Sequence, residues 1–199
     1  MSFEKNNYCV VKNVVSKEVC DFAANYLSLK RQSAKTLYKY FIHQSDEWGY
    51  FGDSQVDTYS IYGDVLMDSI LLYCTNAVSK ETNLKLVPTY SYARFYVKGN
   101  DLKKHRDRPA CEFSATLNLA CDKVWPIFLG DNIKIDLNPG DILVYKGTDV
   151  AHWREPFEGK YCVQTFLHYN KEGGQLFDGR PYLGLPAYTK KRNANRPKE

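Results

Sequence analysis

Between residues 88 and 169 the chain breaks into short runs of alternating apolar and polar residues, and this pattern constrains the fold more than any other feature. The runs are Tyr90 to Val97, Glu112 to Leu119, Ile127 to Leu129, Ile133 to Leu137, Asp141 to Tyr145, Ala151 to Glu155 and Tyr161 to Tyr169. Turn formers separate them: Lys98-Gly99-Asn100, Gly130-Asp131-Asn132, Asn138-Pro139-Gly140, Lys146-Gly147 and Glu158-Gly159. A period of two puts alternate side chains on opposite faces of a strand. Many short strands at this spacing predict an antiparallel sandwich or barrel. The supply of 16 Tyr, 10 Phe and 3 Trp suits such strands.

The first third reads differently. Tyr8 to Val15 suits an edge strand. Ser16 is placed to cap a helix from about Lys17 to Leu29, with Val19, Phe22, Ala23 and Tyr26 at helical spacing. Residues 31 to 60 lack periodicity and read mostly as loop. A second helix is expected from about Tyr62 to Val78, with Val65, Leu66, Ser69, Ile70 and Tyr73 along one side. The expected fold class is α+β, mainly β, with N-terminal helices flanking a β-rich body. The expected organisation is one domain over residues 1–188, with a helical flank to about 88 and a β core over about 89–170. Residues 189–199 read as a basic, disordered tail.

Charge narrows the partners. The net charge of +4 resides in that tail; the 22 basic and 22 acidic residues before it cancel. A broad cationic face for nucleic acid is therefore not expected. No apolar stretch is long enough for a membrane helix, and the polar N-terminus has no apolar signal core. Cysteines 9, 20, 74, 111, 121 and 162 form no Cys-x-x-Cys pair, so structural zinc is not expected and a cytoplasmic, reduced state is.

The strongest chemical signal is His105-Arg106-Asp107. Two positions apart on an extended segment, the imidazole and the carboxylate project to one face. Together they suit a divalent first-row metal, and His152, 47 residues on, is the natural third ligand. Two histidines and one carboxylate with open positions form the arrangement of non-heme Fe(II) oxygenases. Taken singly, His105 reads as a loop histidine and His152 as a core histidine. His43 lies in the irregular first third, and His168 has no carboxylate two away; neither is taken as a ligand.

The segment Tyr96-Val-Lys-Gly99-Asn-Asp-Leu102-Lys-Lys-His105-Arg-Asp107, followed by Pro139-Gly140-Asp141 and His152, resembles the Fe(II)/2-oxoglutarate-dependent dioxygenases, over about Tyr90 to Tyr169. Within them it is most similar to the prolyl 4-hydroxylase-like branch. His105-Arg-Asp-Arg-Pro-x-Cys-Glu-x-Ser114 and His152-Trp-Arg-Glu155 resemble a bacterial and phage-type subgroup in particular. The resemblance implies a double-stranded β-helix (a jelly roll, cupin-like) flanked by helices. It implies His105, Asp107 and His152 as catalytic iron ligands, with Fe(II), 2-oxoglutarate and O2 required and ascorbate in support. It further implies hydroxylation of a peptidyl residue of the prolyl type or of a free amino acid, with release of succinate and CO2. Similar enzymes place a tyrosine nine before the first histidine to bind 2-oxoglutarate, which is Tyr96 here.

A dicarboxylate cosubstrate needs a fixed cation for its far end, and a guanidinium offers two parallel donors. The branch places a basic residue about ten positions after the distal histidine, but Cys162 stands there and Gln164 follows. Arg154, which shares a face with His152, takes the role in our reading, with Lys160 as runner-up; a surface Arg154 paired with Glu155 is the bland alternative. Ser114, Thr116 and Asn118 alternate on one face of their strand and form either a wet pocket wall or a solvent-facing half. Arg94 shares a face with Tyr92 and Tyr96 and is a further candidate for anion binding. Trp125 and Trp153 are expected to pack the sandwich.

Lys98, Lys103, Lys104, Arg106 and Arg108 could line the mouth and favour an anionic substrate. Residues 31 to 60, with Tyr40, Trp48, Tyr50 and Phe51, read as a substrate lid or an irregular surface loop. A peptide or small molecule is the expected partner, with no membrane and no nucleic acid. The alternatives are a non-catalytic jelly-roll binding module and a nucleic-acid-modifying 2-oxoglutarate oxygenase.

Overall fold

The structure is a computed structural model that describes residues 2–173 and 179–189. The expectation for the tail falls on residues 190–199, outside the described residues. Three helices, α1 (Phe3–Asn6), α2 (Lys17–Tyr40) and α3 (Val65–Thr82), accompany ten strands. The strands are β1 (Tyr8–Val11), β2 (Tyr59–Tyr62), β3 (Leu86–Val97), β4 (Leu102–His105), β5 (Phe113–Cys121), β6 (Ile127–Leu129), β7 (Ile133–Ile135), β8 (Ile142–Lys146), β9 (His152–Arg154) and β10 (Tyr161–Lys171).

They form two antiparallel sheets, one of order β1-β8-β5-β10-β3-β2 and one of order β4-β9-β6-β7. Strand alternation explains how the larger sheet serves two cores. Along β5, Phe113, Ala115, Leu117 and Leu119 pack against α2 and α3 with Cys20, Ala23, Leu27, Met67 and Leu71. Ser114, Thr116 and Asn118 point the other way yet are also buried, so the solvent-facing alternative is excluded. Between the sheets lie Leu143, Tyr145, Ile127 and Leu129 toward one end, and Tyr96, Leu102, Trp125, Phe157 and Cys162 toward the other.

Ser16 caps α2 as expected, accepting the Val19 N–H. The helix runs on to Tyr40 rather than stopping near Leu29, so the first third of the expected loop is helical. The faces also differ from the expected stripes. Val19 and Phe22 are exposed; Ala23 is buried as expected, together with Cys20, Ala24, Leu27 and Ala34. On α3, Val65 and Tyr73 are exposed, while Ile70, as expected, and Met67, Leu71, Cys74 and Val78 are buried. Small residues win on α2 because a helix lying close on a sheet has no room for large ones. Asp64 ties the two helices: it caps α3 through the Leu66 and Met67 N–H groups and accepts from Lys30 at 2.5 Å and Tyr26 at 2.7 Å.

The Pro139-Gly140-Asp141 turn is structural. Gly140 has φ +89°, and a Cβ there would meet the Val15 carbonyl. Asp141 is buried and accepts from Lys12 Nζ, Asn13 N and Asn138 N, which fastens the segment before α2 to the β core. Among the described residues no helix is long and apolar enough to cross a membrane.

Candidate metal centre and the cavity beside it

Antiparallel pairing of β4 with β9 sets His105 directly opposite His152, with ring centroids 4.2 Å apart. Asp107 follows just past the end of β4. Its N–H donates to the Gly147 carbonyl at 2.9 Å, which turns the chain back toward the sheet. The Nε2 atoms of His105 and His152 both lie 3.6 Å from Asp107 Oδ1. Each Nδ1 faces a backbone carbonyl, Lys103 O at 2.9 Å and Val150 O at 3.1 Å. Those bonds select the tautomer whose Nε2 lone pair points inward, as metal-ligating histidines require. Asp107 Oδ2 accepts from Ser114 Oγ at 2.6 Å, leaving Oδ1 for the centre. Ser114 Oγ also meets His168 Nδ1 at 3.0 Å. A Cβ on Gly147 would come within 2.5 Å of Asp107 Oδ2 and 2.8 Å of Ser114 Oγ, so the clamp needs glycine there.

The electrostatics suit a divalent cation. Burial opposes ionisation of Asp107, but the His105 hydrogen bond, the neighbouring imidazoles and Ser114 outweigh it and hold the carboxyl below the usual range. Burial pushes His152 below the ordinary imidazole value, which favours the neutral form that a cation needs. Burial also pulls His105 down, but its bonds to Asp107 and the Lys103 carbonyl outweigh that and raise it, which a bound cation would reverse. An ion with bonds of about 2.1 Å sets cis donors about 3 Å apart. The three ligand atoms lie within 4.8 Å of one another, so closing on an ion takes only small movements.

A cavity of about 410 Å³ opens on the triad. Tyr50, Tyr62, Tyr90, Tyr92, Phe166, Thr116, Ile127, Leu102 and Tyr145 line it, Phe166 lying between Thr116 and Tyr92 in the larger sheet. The Tyr145 hydroxyl is 3.4 Å from His152 Nε2. Behind this wall sits Arg154, 2% exposed. Its Nη1 donates to the Trp125 carbonyl and its plane lies 4.8 Å from the Trp125 ring centre. Its Nε and Nη2 have no hydrogen-bond partner, and no carboxylate pairs with it among the described residues. Burial without a counter-ion pushes its pKa below the ordinary guanidinium value. The Tyr96 hydroxyl, Thr116 Oγ1 and Gln164 Oε1 are likewise buried without partners. A guanidinium and two hydroxyls, all donors, left unmatched in one interior fit an absent anion, whereas the Gln164 oxygen is an acceptor and does not.

The structure thus brings together His105, Asp107 and His152, and beside them Arg154, Tyr96 and Thr116. Arg154 does not pair with Glu155 on the surface. Lys160 is exposed at the Glu158-Gly159 turn, its N–H bound by Asp122, and does not reach the cavity. Asn118 donates to the Leu137 carbonyl, one row deeper than Thr116. Arg94 lines the cavity and pairs with Asp53 at 3.2 Å and Gln55 at 2.8 Å, while its buried Nε has no partner. Of the basic cluster, Arg106 and Arg108 line the cavity. Lys103 pairs with Asp101, Lys104 covers Trp153, and neither they nor Lys98 line it. From the expected lid, Tyr50 reaches the cavity with Asp53 and Gln55, whereas Phe51 packs on Tyr38 and Tyr59. Tyr40 points outward. Trp125 packs on Tyr96 and Phe157, and Trp153 stacks on Phe128, as expected. Sequence reasoning weighed His168 and set it aside, and did not single out Tyr145. Their interior positions on β10 and β8 follow from strand parity, but nothing local marks them as near the triad.

No family model matches the sequence, and no curated protein matches it. Solved structures do. A Pseudomonas putida prolyl-4-hydroxylase is 15% identical with a TM-score of 0.63, over 85% of this chain and 95% of that one. The viral collagen prolyl hydroxylase of Paramecium Bursaria Chlorella virus-1, solved as its 2OG complex, is 13% identical with a TM-score of 0.57, over 83% and 97%. EctD from S. alaskensis, solved with bound Fe, is 11% identical with a TM-score of 0.63, over 92% and 80%. The chain is similar to these in architecture along nearly its whole described length, and its fold is the double-stranded β-helix that they share.

Proposed function

We propose that this chain is an Fe(II)- and 2-oxoglutarate-dependent oxygenase. The observation that carries the reading is the coincidence of two features in one interior. Two imidazoles and one carboxylate converge, and a buried guanidinium stands beside them without an anion. A metal-free binding module would have no need of either, and burying an unpaired charge costs several kcal/mol. The first two structural relatives above are prolyl hydroxylases by name, which favours hydroxylation of a peptidyl residue or a small molecule.

In this reading His105, Asp107 and His152 hold the ferrous ion, and Arg154 and Tyr96 hold the distal carboxylate of 2-oxoglutarate, with Thr116 beside them. When bound, iron with 2-oxoglutarate and O2 supplies the oxidative chemistry, in which R–H becomes R–OH while the cosubstrate leaves as succinate and CO2. The chain's own residues do the rest. The Lys103 and Val150 carbonyls fix the ring orientations, Ser114 keeps Asp107 on one oxygen, and the apolar wall of Ile127, Leu102 and Phe166 excludes stray water.

Anaerobic titration of the purified protein with Fe(II) and 2-oxoglutarate tests this. A visible charge-transfer band should appear and be lost in His105→Ala. No band in the unsubstituted protein under saturating metal would refute the reading.

A further inference from the structure

The mouth of the cavity carries positive charge that nothing in the site consumes. Its charged lining, apart from the two imidazole ligands and His168, is Arg94, Arg106, Arg108, Asp53 and Asp107. Asp107 belongs to the triad. Asp53 pairs with Arg94 and also accepts from Tyr92 Oη and the Gln55 N–H, so the two charges offset each other. Arg106 gives its Nε–H to the Asp149 carbonyl at 3.0 Å, while the Asp149 carboxylate is held by Lys146 at 2.7 Å. Arg108 lies over Tyr90, 4.9 Å from the ring centre. Neither Arg106 nor Arg108 forms an ion pair among the described residues.

The wall beside these arginines is flat and aromatic. Tyr62 and Tyr90 stack at 4.6 Å with 21° between their planes, and Tyr92 meets Tyr62 edge-on. Tyr50 and Tyr92 share a hydroxyl contact of 2.8 Å. Uncompensated guanidinium at a narrow mouth concentrates anions and offers charge-assisted, bidentate hydrogen bonds. Tyr62 and Tyr90 spend their facing surfaces on each other and lie under Arg180 and Arg108, so the half-buried Tyr92 and Phe166 are the rings left to meet an apolar or ring-shaped body.

We propose that the substrate is a small anion, a carboxylate or phosphate ester carrying an apolar or ring-bearing body. Arg108, assisted by Arg106, holds the anionic group, and the body lies against Tyr92 and Phe166. This deepens the oxygenase reading and rests on it. A neutral prolyl peptide would leave both guanidinium groups without an ion partner. An extended nucleic acid is disfavoured because the charges of residues 1–188 cancel.

The test is succinate release by the Fe(II)-loaded full chain with phenylacetate, phenyl phosphate, the uncharged phenylacetamide, a short proline peptide and a short oligonucleotide. Phenylacetate or phenyl phosphate should stimulate turnover well above phenylacetamide, and the stronger of the two identifies the anion. Arg108→Gln should raise its half-saturating concentration about 10- to 100-fold, the loss of one bidentate charged contact. Arg108→Lys, which keeps the charge, should recover much of it. The inference is overturned if phenylacetamide or the proline peptide stimulates as well as the anions, if only the oligonucleotide does, or if Arg108→Gln leaves half-saturation unchanged. The charge-transfer band with 2-oxoglutarate separates the two levels. Its absence from the unsubstituted protein sinks the oxygenase reading and this inference together; a normal band without preference for anions sinks this inference alone.

Discussion

Replacing Arg154 by Met should move stability and cosubstrate affinity in opposite directions. The guanidinium is 2% exposed, uses one N–H on the Trp125 carbonyl, and leaves Nε and Nη2 unmatched. In the ligand-free protein it is a buried charge without a partner ion, so an apolar side chain of similar length should stabilise the fold by about 1–3 kcal/mol. The Trp125 carbonyl loses a donor, which sets the lower end of that range. In the liganded protein the same group would donate two charge-assisted hydrogen bonds to a carboxylate, each worth about 1.5–3 kcal/mol. Their loss corresponds to about 3–6 kcal/mol, or a 10²- to 10⁴-fold weaker affinity for 2-oxoglutarate. Urea unfolding without ligand measures the first quantity. Calorimetric titration of 2-oxoglutarate into the Mn(II)-loaded protein measures the second. Arg154→Met binding 2-oxoglutarate within threefold of the unsubstituted protein, or unfolding at lower urea, would show that Arg154 is an ordinary structural arginine.

Three further outcomes are expected. Burial depresses the His168 pKa from 6.5 to about 4, so the unfolded chain binds the extra proton over that interval. Stability should therefore be full above pH 6.5 and fall by about 3 kcal/mol as the pH drops to 4, a slope that His168→Gln lacks; parallel unfolding curves for the two proteins would contradict this. Gly147→Ala should force Asp107 and Ser114 apart, cost about 1–3 kcal/mol in thermal or urea unfolding and weaken Co(II) binding, and an unchanged Co(II) affinity would remove the clamp argument. Saturating Co(II) at a hundred times its dissociation constant should add about 2.7 kcal/mol to the stability of the unsubstituted protein, and EDTA should reverse the gain. His105→Ala should show neither effect; an equal gain in that variant would place the metal elsewhere.

Much of this architecture is legible in the chain itself. Strand period, turn residues and the Ser16 cap are local properties, and the observed strands overlap every predicted run. His105 and Asp107 share a face because they are two apart on one extended segment, and His152 could be named because the surrounding motif resembles a known family. The Pro-Gly-Asp turn was legible as a turn, though its role in fastening Lys12 and Asn13 was not.

The remainder depends on register between strands far apart in the chain. His168 reaches Ser114 across 54 residues only because β10 lies between β5 and β3 with His168 opposite both Ser114 and Tyr90. The same register decides that Ser114, Thr116 and Asn118 face a sealed interior rather than water, since alternation reports two faces without saying what covers each. Helix faces follow the same logic. The apolar residues of α2 were visible, but which of them are buried depended on how closely the sheet approaches, and small side chains prevailed. Arg154 is set against Lys160 by tertiary placement alone: one guanidinium is sealed behind Trp125, while the ammonium stands in solvent. Local sequence encodes which residues can alternate, turn and cap; long-range pairing encodes which of them meet, because contact between distant strands is a property of no single segment.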